Sequence, residues 1–270
     1  MSGLRTLVCS ALAALAMSIV ATSEVHAQAA APASAIPVVD FFKLPAVRSP
    51  MLSPSGKKIA MIVPAGNDRL GLGVASIDTP DKFVGIAKFE DADVGSINWV
   101  NDDRLVFTAI DYQAPVAEQR GSGLYAVNAD GSDFLWLIEQ NSKYRPVGVP
   151  ATRPLSARHR LFGVIDGAGD DVIVERLDYF DNVRVASSTL LRLNTRDLTV
   201  RPLNVGEKPS GAQGWVLDRQ IRPRVATSYE ENGIAAVHWR PEGGDAWVNL
   251  FTFDVFNPDA GPFTPLAIAF

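Results

Sequence analysis

Serine and histidine residues are the first groups to examine, because together they could form a hydrolase site. A hydrolase of the α/β type presents its nucleophile in a G-x-S-x-G turn, and no serine here has glycine at both second neighbours. Beyond residue 27 the only histidines are His159 and His238. Arg158 and Arg160 flank His159 and make it a poorer base, in a region whose pattern indicates a loop. His238 lies in a strand pattern, so both histidines are predicted to be structural.

Acidic pairs and glycine spacings suggest three further chemistries, namely acid–base catalysis, calcium binding and phosphate binding. Residues 128–133 resemble the start of a calcium loop, but they lie between two strand patterns. Gly66 and Gly71 have the spacing of a phosphate loop, yet Leu72 stands where its lysine belongs. Turn chemistry explains the acidic pairs better than catalysis does; they are Asp102–Asp103, Asp170–Asp171 and Glu230–Glu231. We therefore expect no catalytic, cofactor-binding or metal-binding residue in this chain.

The N-terminus has the pattern of a secretory signal peptide. Arg5 precedes an apolar run over 7–20, and a small-residue cleavage pattern ends at Ala27. The run is shorter than the roughly 20 residues that a membrane-spanning helix needs. We expect cleavage after Ala27, a periplasmic or secreted protein, and no membrane association of the mature chain.

Composition narrows the function classes further. Cys9 is the only cysteine and would leave with the signal peptide, so no disulfide, thiolate metal site or cysteine nucleophile is expected. Without residues 1–27 the chain has 24 basic residues (25 less Arg5) and 29 acidic residues (30 less Glu24). A net charge near −5 and the lack of a basic stripe argue against a nucleic-acid partner.

From residue 49 onward, short β-branched and aromatic runs alternate with turn clusters, and helical periodicity is almost absent. First strands of successive units are predicted near Met51, Ile97, Phe162, Trp215 and Leu266, at spacings typical of four-stranded propeller blades. The pattern around Trp99 (WVNDDR) is echoed around Trp215 (WVLDR). The sequence thus predicts an all-β fold, a partial β-propeller of about four blades plus one opening strand, Phe263 to Phe270. A β-sandwich is the alternative fold.

The tryptophans are predicted to lie on strands and to pack between blades rather than to stack against a sugar. They are Trp99, Trp136, Trp215, Trp239 and Trp247. Because the chain finishes inside an apolar run, we expect a propeller that is cut short, whose uncovered blade faces lower its stability.

Several motifs resemble those of propeller repeats in exported bacterial proteins. Leu52 to Ala60 (LSPSGKKIA) is similar to a strand turn of WD-type repeats, and Leu124 to Ser132 (LYAVNADGS) to their hairpin. The order of Pro37–Phe42, Asp91–Ser96, Trp99–Leu105 and Gln119–Leu124 resembles the N-terminal propeller of exported prolyl-oligopeptidase-family serine peptidases.

The resemblance implies a propeller that filters peptides reaching an α/β-hydrolase domain, which this sequence lacks. The expected organisation is a signal peptide over 1–27, a linker and lead-in segment over 28–48, and a partial propeller over 49–270. Its partners would be peptide substrates, reached through the hydrolase domain. A stand-alone periplasmic binding scaffold and a non-functional fragment are the alternatives.

Overall fold

A computed structural model of the protein describes residues 37, 43, 46–66, 68–115, 123–139, 153–167, 169–181, 183–203 and 205–257. The chain divides into two compact units, Met1–Lys43 and Leu44–Phe270. All sixteen strands belong to the second unit, and no helix occurs within the described ranges. None of the described segments therefore forms a helix able to cross a bilayer.

The strands form four separate sheets, each a meander of four antiparallel strands taken in chain order. The first sheet holds β1–β4, at Arg48–Leu52, Lys58–Pro64, Leu70–Ser76 and Val84–Ala87. The second holds β5–β8, at Asp93–Asn101, Arg104–Ile110, Leu124–Asn128 and Leu135–Ile138. The third holds β9–β12, at His159–Val164, Asp171–Tyr179, Val185–Asn194 and Val200–Pro202. The fourth holds β13–β16, at Ala212–Leu217, Pro223–Tyr229, Ile234–Trp239 and Val248–Asp254.

This architecture confirms the all-β prediction, and the four sheets are blades of a partial β-propeller. The predicted first-strand positions Met51, Ile97, Phe162 and Trp215 lie in β1, β5, β9 and β13, the first strands of the four sheets. The predicted opening strand at 263–270 lies outside the described residues.

A glycine with positive φ forms the turn in each of the two hairpins whose motifs were recognised in the sequence. In the β1–β2 turn, Gly56 has a φ of +72°, and its amide donates to the Ser53 carbonyl at 2.8 Å. In the β7–β8 turn, Gly131 has a φ of +86°, and its amide donates to the Asn128 carbonyl at 2.9 Å. A side chain at either position would strain the backbone, so these glycines fix the turns.

Each sheet packs against the next through a buried apolar layer. The layer between the first and second sheets is the largest and includes Ile62, Leu72 and Phe107, while the second and third sheets share Leu137 and Val174. The layer between the third and fourth sheets is the smallest. Its buried members are Ile165, Ile173, Leu190, Ala212, Trp215 and Ala226. The interface between the third and fourth sheets therefore has the least apolar support.

The echoed tryptophans both bond to the preceding blade. Trp99 in β5 donates from Nε1 to the Met51 carbonyl at 3.0 Å, in the preceding sheet. Trp215 in β13 donates from Nε1 to Ser188 Oγ at 2.8 Å, also in the preceding sheet. Each indole thus ties the first strand of its blade to the blade before it, as expected of a repeat.

Candidate functional site

A cavity of about 750 Å³, open to solvent, lies on the fourth sheet, beside the loop that connects the third sheet to the fourth. Strands β14, β15 and β16 supply its polar floor with Ser228, His238, Asn249 and Thr252. Glu230 in the β14–β15 turn and Ile234 to Ala236 in β15 also line it, as do residues of the loops before β13 and before β16, namely Glu207, Lys208, Pro209, Ser210, Asp245, Ala246 and Trp247. This volume is in the range of about 300–1,000 Å³ that small ligands occupy.

A serine–histidine pair forms the floor of this cleft. Ser228 Oγ lies 2.8 Å from Nε2 of His238, and Ser228 is buried with 6% exposure. Ser228 and His238 meet because Ser228 pairs with Ala236 while His238 pairs with Ala226, which places both side chains on one face of the sheet. No carboxylate among the described residues bonds to Nδ1 of His238, so the pair lacks the third member that orients a catalytic imidazole.

Burial lowers the pKa of His238. The neutral ring therefore predominates near pH 7, and one of its two nitrogens, Nε2 or Nδ1, carries the single hydrogen. Whichever tautomer is present, Ser228 occupies Nε2, and Nδ1 is left to a ligand or to solvent. The pair can thus recognise an uncharged hydrogen-bonding group.

Lys208, in the loop beside the cleft, is bound to the third sheet. Its ammonium donates to Ser187 Oγ at 3.2 Å, to the Ser188 carbonyl at 3.0 Å and to Thr189 Oγ1 at 3.2 Å, all in β11. Burial is the main influence on its pKa, which is lowered from the usual value. All three ammonium hydrogens have acceptors in the third sheet, so Lys208 holds the loop before β13 against that sheet.

Changing His238 to glutamine is expected to reduce the dependence of stability on pH between 7 and 5. Because the folded-state pKa of His238 lies below its usual value of 6.5, the unfolded chain binds a proton first as the pH falls. This contribution to stability is complete above about pH 6.5 and is lost as the pH falls below it. Urea unfolding at pH 7, 6 and 5 should show a smaller fall in unfolding free energy for the variant.

The pKa of His159 is also lowered, so His159→Gln is the matched comparison. The double variant should show a still smaller change of unfolding free energy between pH 7 and pH 5. If wild type and His238→Gln lose equal stability from pH 7 to 5, the prediction is wrong.

The structure places His159 in a strand, which corrects the expectation of a loop. It is the first residue of β9, and its Nδ1 lies 3.0 Å from the Ser156 carbonyl. Its pKa is lowered chiefly by burial and further by Arg176, rather than by its neighbours in sequence. Arg158 instead stacks over the ring of Tyr179, and Arg160 pairs with Glu175 at 2.6 Å.

Two of the three acidic pairs connect turns of adjacent blades. The Ser55 amide donates to Asp102 Oδ1 at 2.9 Å, and Lys58 Nζ lies 2.7 Å from Asp103 Oδ1. Asn101 in turn donates to Asp170 Oδ1 at 2.9 Å in the third sheet. These carboxylates therefore accept hydrogen bonds within turns and between neighbouring blades, in agreement with the interpretation of the acidic pairs as turn residues.

The other residues considered from the sequence lie in turns, hairpins and strands. Residues 128–133 form the β7–β8 turn, where Asp130 accepts hydrogen bonds from Ser132 and Asp133 pairs with Arg104 at 3.2 Å. Gly66 and Gly71 belong to the β2–β3 hairpin. Four of the tryptophans lie on strands, but Trp247 comes just before β16, which corrects its predicted placement. No group of three or more potential metal ligands occurs in the described part of the chain.

Comparison with known proteins yields structural similarity alone. No protein-family model matches the sequence, and no curated protein sequence matches it. TolB from Acinetobacter baumannii matches 76% of this chain with 15% identity and a TM-score of 0.39. An acylaminoacyl peptidase from Pyrococcus horikoshii matches 73% with 14% identity and a TM-score of 0.40. The β-propeller domain of the Trilobed protease from Pyrococcus furiosus matches 78% with 11% identity and a TM-score of 0.36.

The chain spans only part of these structures, namely 43% of the TolB chain, 29% of the peptidase and 56% of the protease propeller. Identities this low accompany many different activities on the same fold. Any function for this chain must therefore be argued from its own residues.

Proposed function

We propose that this chain is the non-catalytic propeller portion of an exported serine peptidase of the prolyl-oligopeptidase type, where it controls peptide access to an α/β-hydrolase domain. The observation that carries the proposal is the position of the resembling motifs within the blades. Leu52 to Ala60 spans the end of β1, the turn and the start of β2, and Leu124 to Ser132 spans β7 and the turn after it. Trp99 to Leu105 likewise spans the end of β5, its turn and the start of β6.

Two further features support the proposal. The N-terminal pattern of Arg5, an apolar run and Ala27 is that of an exported protein. The Ser228–His238 pair has no carboxylate partner among the described residues, in keeping with a portion that handles peptides without cleaving them. Location in the periplasm or outside the cell, and peptides as partners, are parts of this proposal.

A fluorophosphonate probe, which labels activated serines, tests the proposal in two settings. Recombinant 28–270 should remain unlabelled, because no serine among the described residues has an oriented base. In the periplasmic fraction of the source organism, an antibody against the chain should capture a species that carries the probe. The captured species would be either a longer polypeptide or a complex with a hydrolase subunit.

Other results would overturn the proposal. Labelling of Ser228 in the recombinant chain, located by peptide mass spectrometry, would make the chain itself an enzyme. Capture of an unlabelled protein with the mass of the mature chain would favour the second candidate, a stand-alone binding scaffold. That candidate is favoured by the open cleft on the fourth sheet, which offers a binding site independent of any hydrolase.

A further inference from the structure

We propose that β16, the last strand of the fourth sheet, pairs with β16 of a second copy of this chain, so that two fourth sheets join edge to edge into one antiparallel sheet. β16 pairs with β15 on one side, and no strand in the described part of the chain pairs with it on the other. That other side is called the open edge below. The inference concerns self-association and does not depend on the peptidase proposal.

The last strands of the other three sheets are protected from such pairing in ways that β16 is not. β4 and β8 have four residues each and β12 has three, and β12 also contains Arg201 and Pro202. β16 has seven residues, contains no proline, and has Asp254 as its one charged residue. Short strands, charges and prolines are the means by which proteins commonly keep sheet edges from pairing. β16 therefore lacks the protection that its counterparts have.

The side chains at this edge form an exposed apolar patch. Six of the seven residues of β16 are exposed, and Val248 and Leu250 are exposed by 50% and 54%. Val255 and Phe256 extend the patch past the end of the strand, and the ring of Phe256 lies against Gly233 in the β14–β15 turn. The two valines, the leucine and the phenylalanine together expose on the order of 400 Å², the scale at which apolar patches mark interaction sites.

The backbone at the open edge has groups available for pairing. The Val255 amide donates to the Gly233 carbonyl at 2.9 Å, and Phe253 pairs with Ala235 in the same register. Residues of an antiparallel strand turn their N–H and C=O groups to the two sides alternately, so Thr252 directs its groups away from β15. No described residue bonds to the backbone of Thr252 on that side. A second antiparallel strand would satisfy these groups as β15 satisfies those on its side.

A second copy fits the open edge better than a further blade of the same chain does. Blades of a propeller stack face to face, so a further blade would cover the outer face of the fourth sheet and leave its last strand open. With a two-fold axis beside Phe251, every residue of β16 meets a residue of the same strand, and Asp254 lies opposite Val248 rather than opposite itself. The pairing therefore needs no other sequence and places no like charges directly opposite each other.

Size-exclusion chromatography with light scattering measures the association. Recombinant 28–270 should shift from monomer to dimer as its concentration rises, with a dissociation constant in the micromolar range, because the patch is smaller than the roughly 800 Å² per partner of standard interfaces. Leu250→Lys places a charge at the paired edge and should raise this constant at least tenfold. Val183→Lys adds the same charge at an 81% exposed residue between β10 and β11 and should leave the constant unchanged. Near-ultraviolet circular dichroism verifies that both variants fold.

A cysteine at the two-fold axis tests the register. Cys9 is the only cysteine of the sequence, so 28–270 contains none. Phe251→Cys should form a disulfide between copies under mild oxidation, since directly opposite residues of paired strands have Cβ atoms about 4.5–5.5 Å apart. Phe180→Cys introduces the same group at another exposed phenylalanine, just after β10, and should remain largely without a cross-link.

A monomer at every concentration would overturn the inference, as would equal dimerisation of the Leu250→Lys and Val183→Lys variants. Equal cross-linking through residues 251 and 180 would place the contact elsewhere and would also overturn it. If 28–270 stays monomeric and only Leu250→Lys abolishes capture of another periplasmic protein, the edge belongs to a different partner and the inference is wrong. None of these outcomes bears on the probe experiment, which depends on a hydrolase rather than on self-association.

Discussion

Replacing Arg104 with methionine is expected to cost about 3 kcal/mol of unfolding free energy, the scale measured when one partner of a buried ionic network is removed. For a domain of this size that corresponds to a fall in melting temperature of roughly 6–12 °C. The side chain of Arg104 is fully buried, at 0% exposure, at the start of β6. Its guanidinium joins two blades, which is why the expected effect is large.

The contacts of Arg104 divide between the second and third sheets. Nη1 donates to the Asp133 carbonyl at 2.6 Å and to Asn128 Oδ1 at 3.1 Å, in the β7–β8 turn of its own blade. Nη2 donates to the Thr195 carbonyl in the β11–β12 turn of the next blade, and Nε lies 3.4 Å from Thr195 Oγ1. Methionine fills similar space but removes the donor from the Asp133 and Thr195 carbonyls, while Asn128 Oδ1 keeps a bond from Arg196. Each buried group left unsatisfied costs about 1–3 kcal/mol.

Two further variants make this prediction specific. Arg104→Lys keeps the charge but not the planar fork, so it should recover only part of the lost stability. Arg184→Met applies the same substitution to an exposed arginine that pairs with Asp181 at 3.0 Å, and the melting temperature should scarcely change. Thermal unfolding followed by circular dichroism at pH 7 compares all three. Equal melting temperatures for Arg104→Met and Arg184→Met would contradict the role assigned to Arg104.

The blade order was predictable from the sequence because hairpin turns and strands are local patterns. Leu52 to Ala60 resembled a strand turn and Leu124 to Ser132 a hairpin, and each contains the turn between two strands of one sheet. The echo around Trp99 and Trp215 marked first strands of two blades, and each indole bonds to the preceding blade, Trp99 to β1 and Trp215 to β11. Such features need only neighbouring residues to be recognised.

The cleft could not be predicted, because its residues meet through pairing and packing between distant segments. Ser228 and His238 come together only once the register of β14 and β15 is fixed, and a register shifted by one residue would place them on opposite faces. Lys208 and Glu207 lie in a connecting loop, and nothing local places them against β15. The histidine in a strand pattern was the only available signal, and it predicted a structural residue.

His159 and Arg104 show a second limit of sequence reasoning. Flanking arginines suggested an electrostatic effect on His159, but Arg158, just before β9, stacks over Tyr179, and Arg160, within β9, pairs with Glu175. Arg104 was noted only as part of a repeated motif, and its burial is not local information. Charged residues are rarely buried without partners, and the partners of Arg104 include Thr195, 91 positions further along the chain.

Replacing Phe107 with alanine is expected to cost about 3–5 kcal/mol of unfolding free energy, as for other buried aromatic residues. Phe107 lies in the middle of β6 with 0% exposure, within the apolar layer between the first and second sheets. Its ring centroid is 5.6 Å from that of Tyr125, 5.8 Å from Phe134 and 6.1 Å from Phe89. Truncation opens a cavity among rings that cannot fully collapse, so lost packing adds to lost apolar burial.

Chemical unfolding in urea measures this cost, with two variants for comparison. Phe107→Leu keeps most of the volume and should lose clearly less stability than Phe107→Ala. Phe180→Ala removes an aromatic side chain that is 51% exposed, and most of its surface already meets water, so the unfolding free energy should change little. The apolar layer around Phe107 is the largest between any two sheets. If Phe107→Ala lost no more unfolding free energy than Phe180→Ala, this layer would not be what holds the first two blades together.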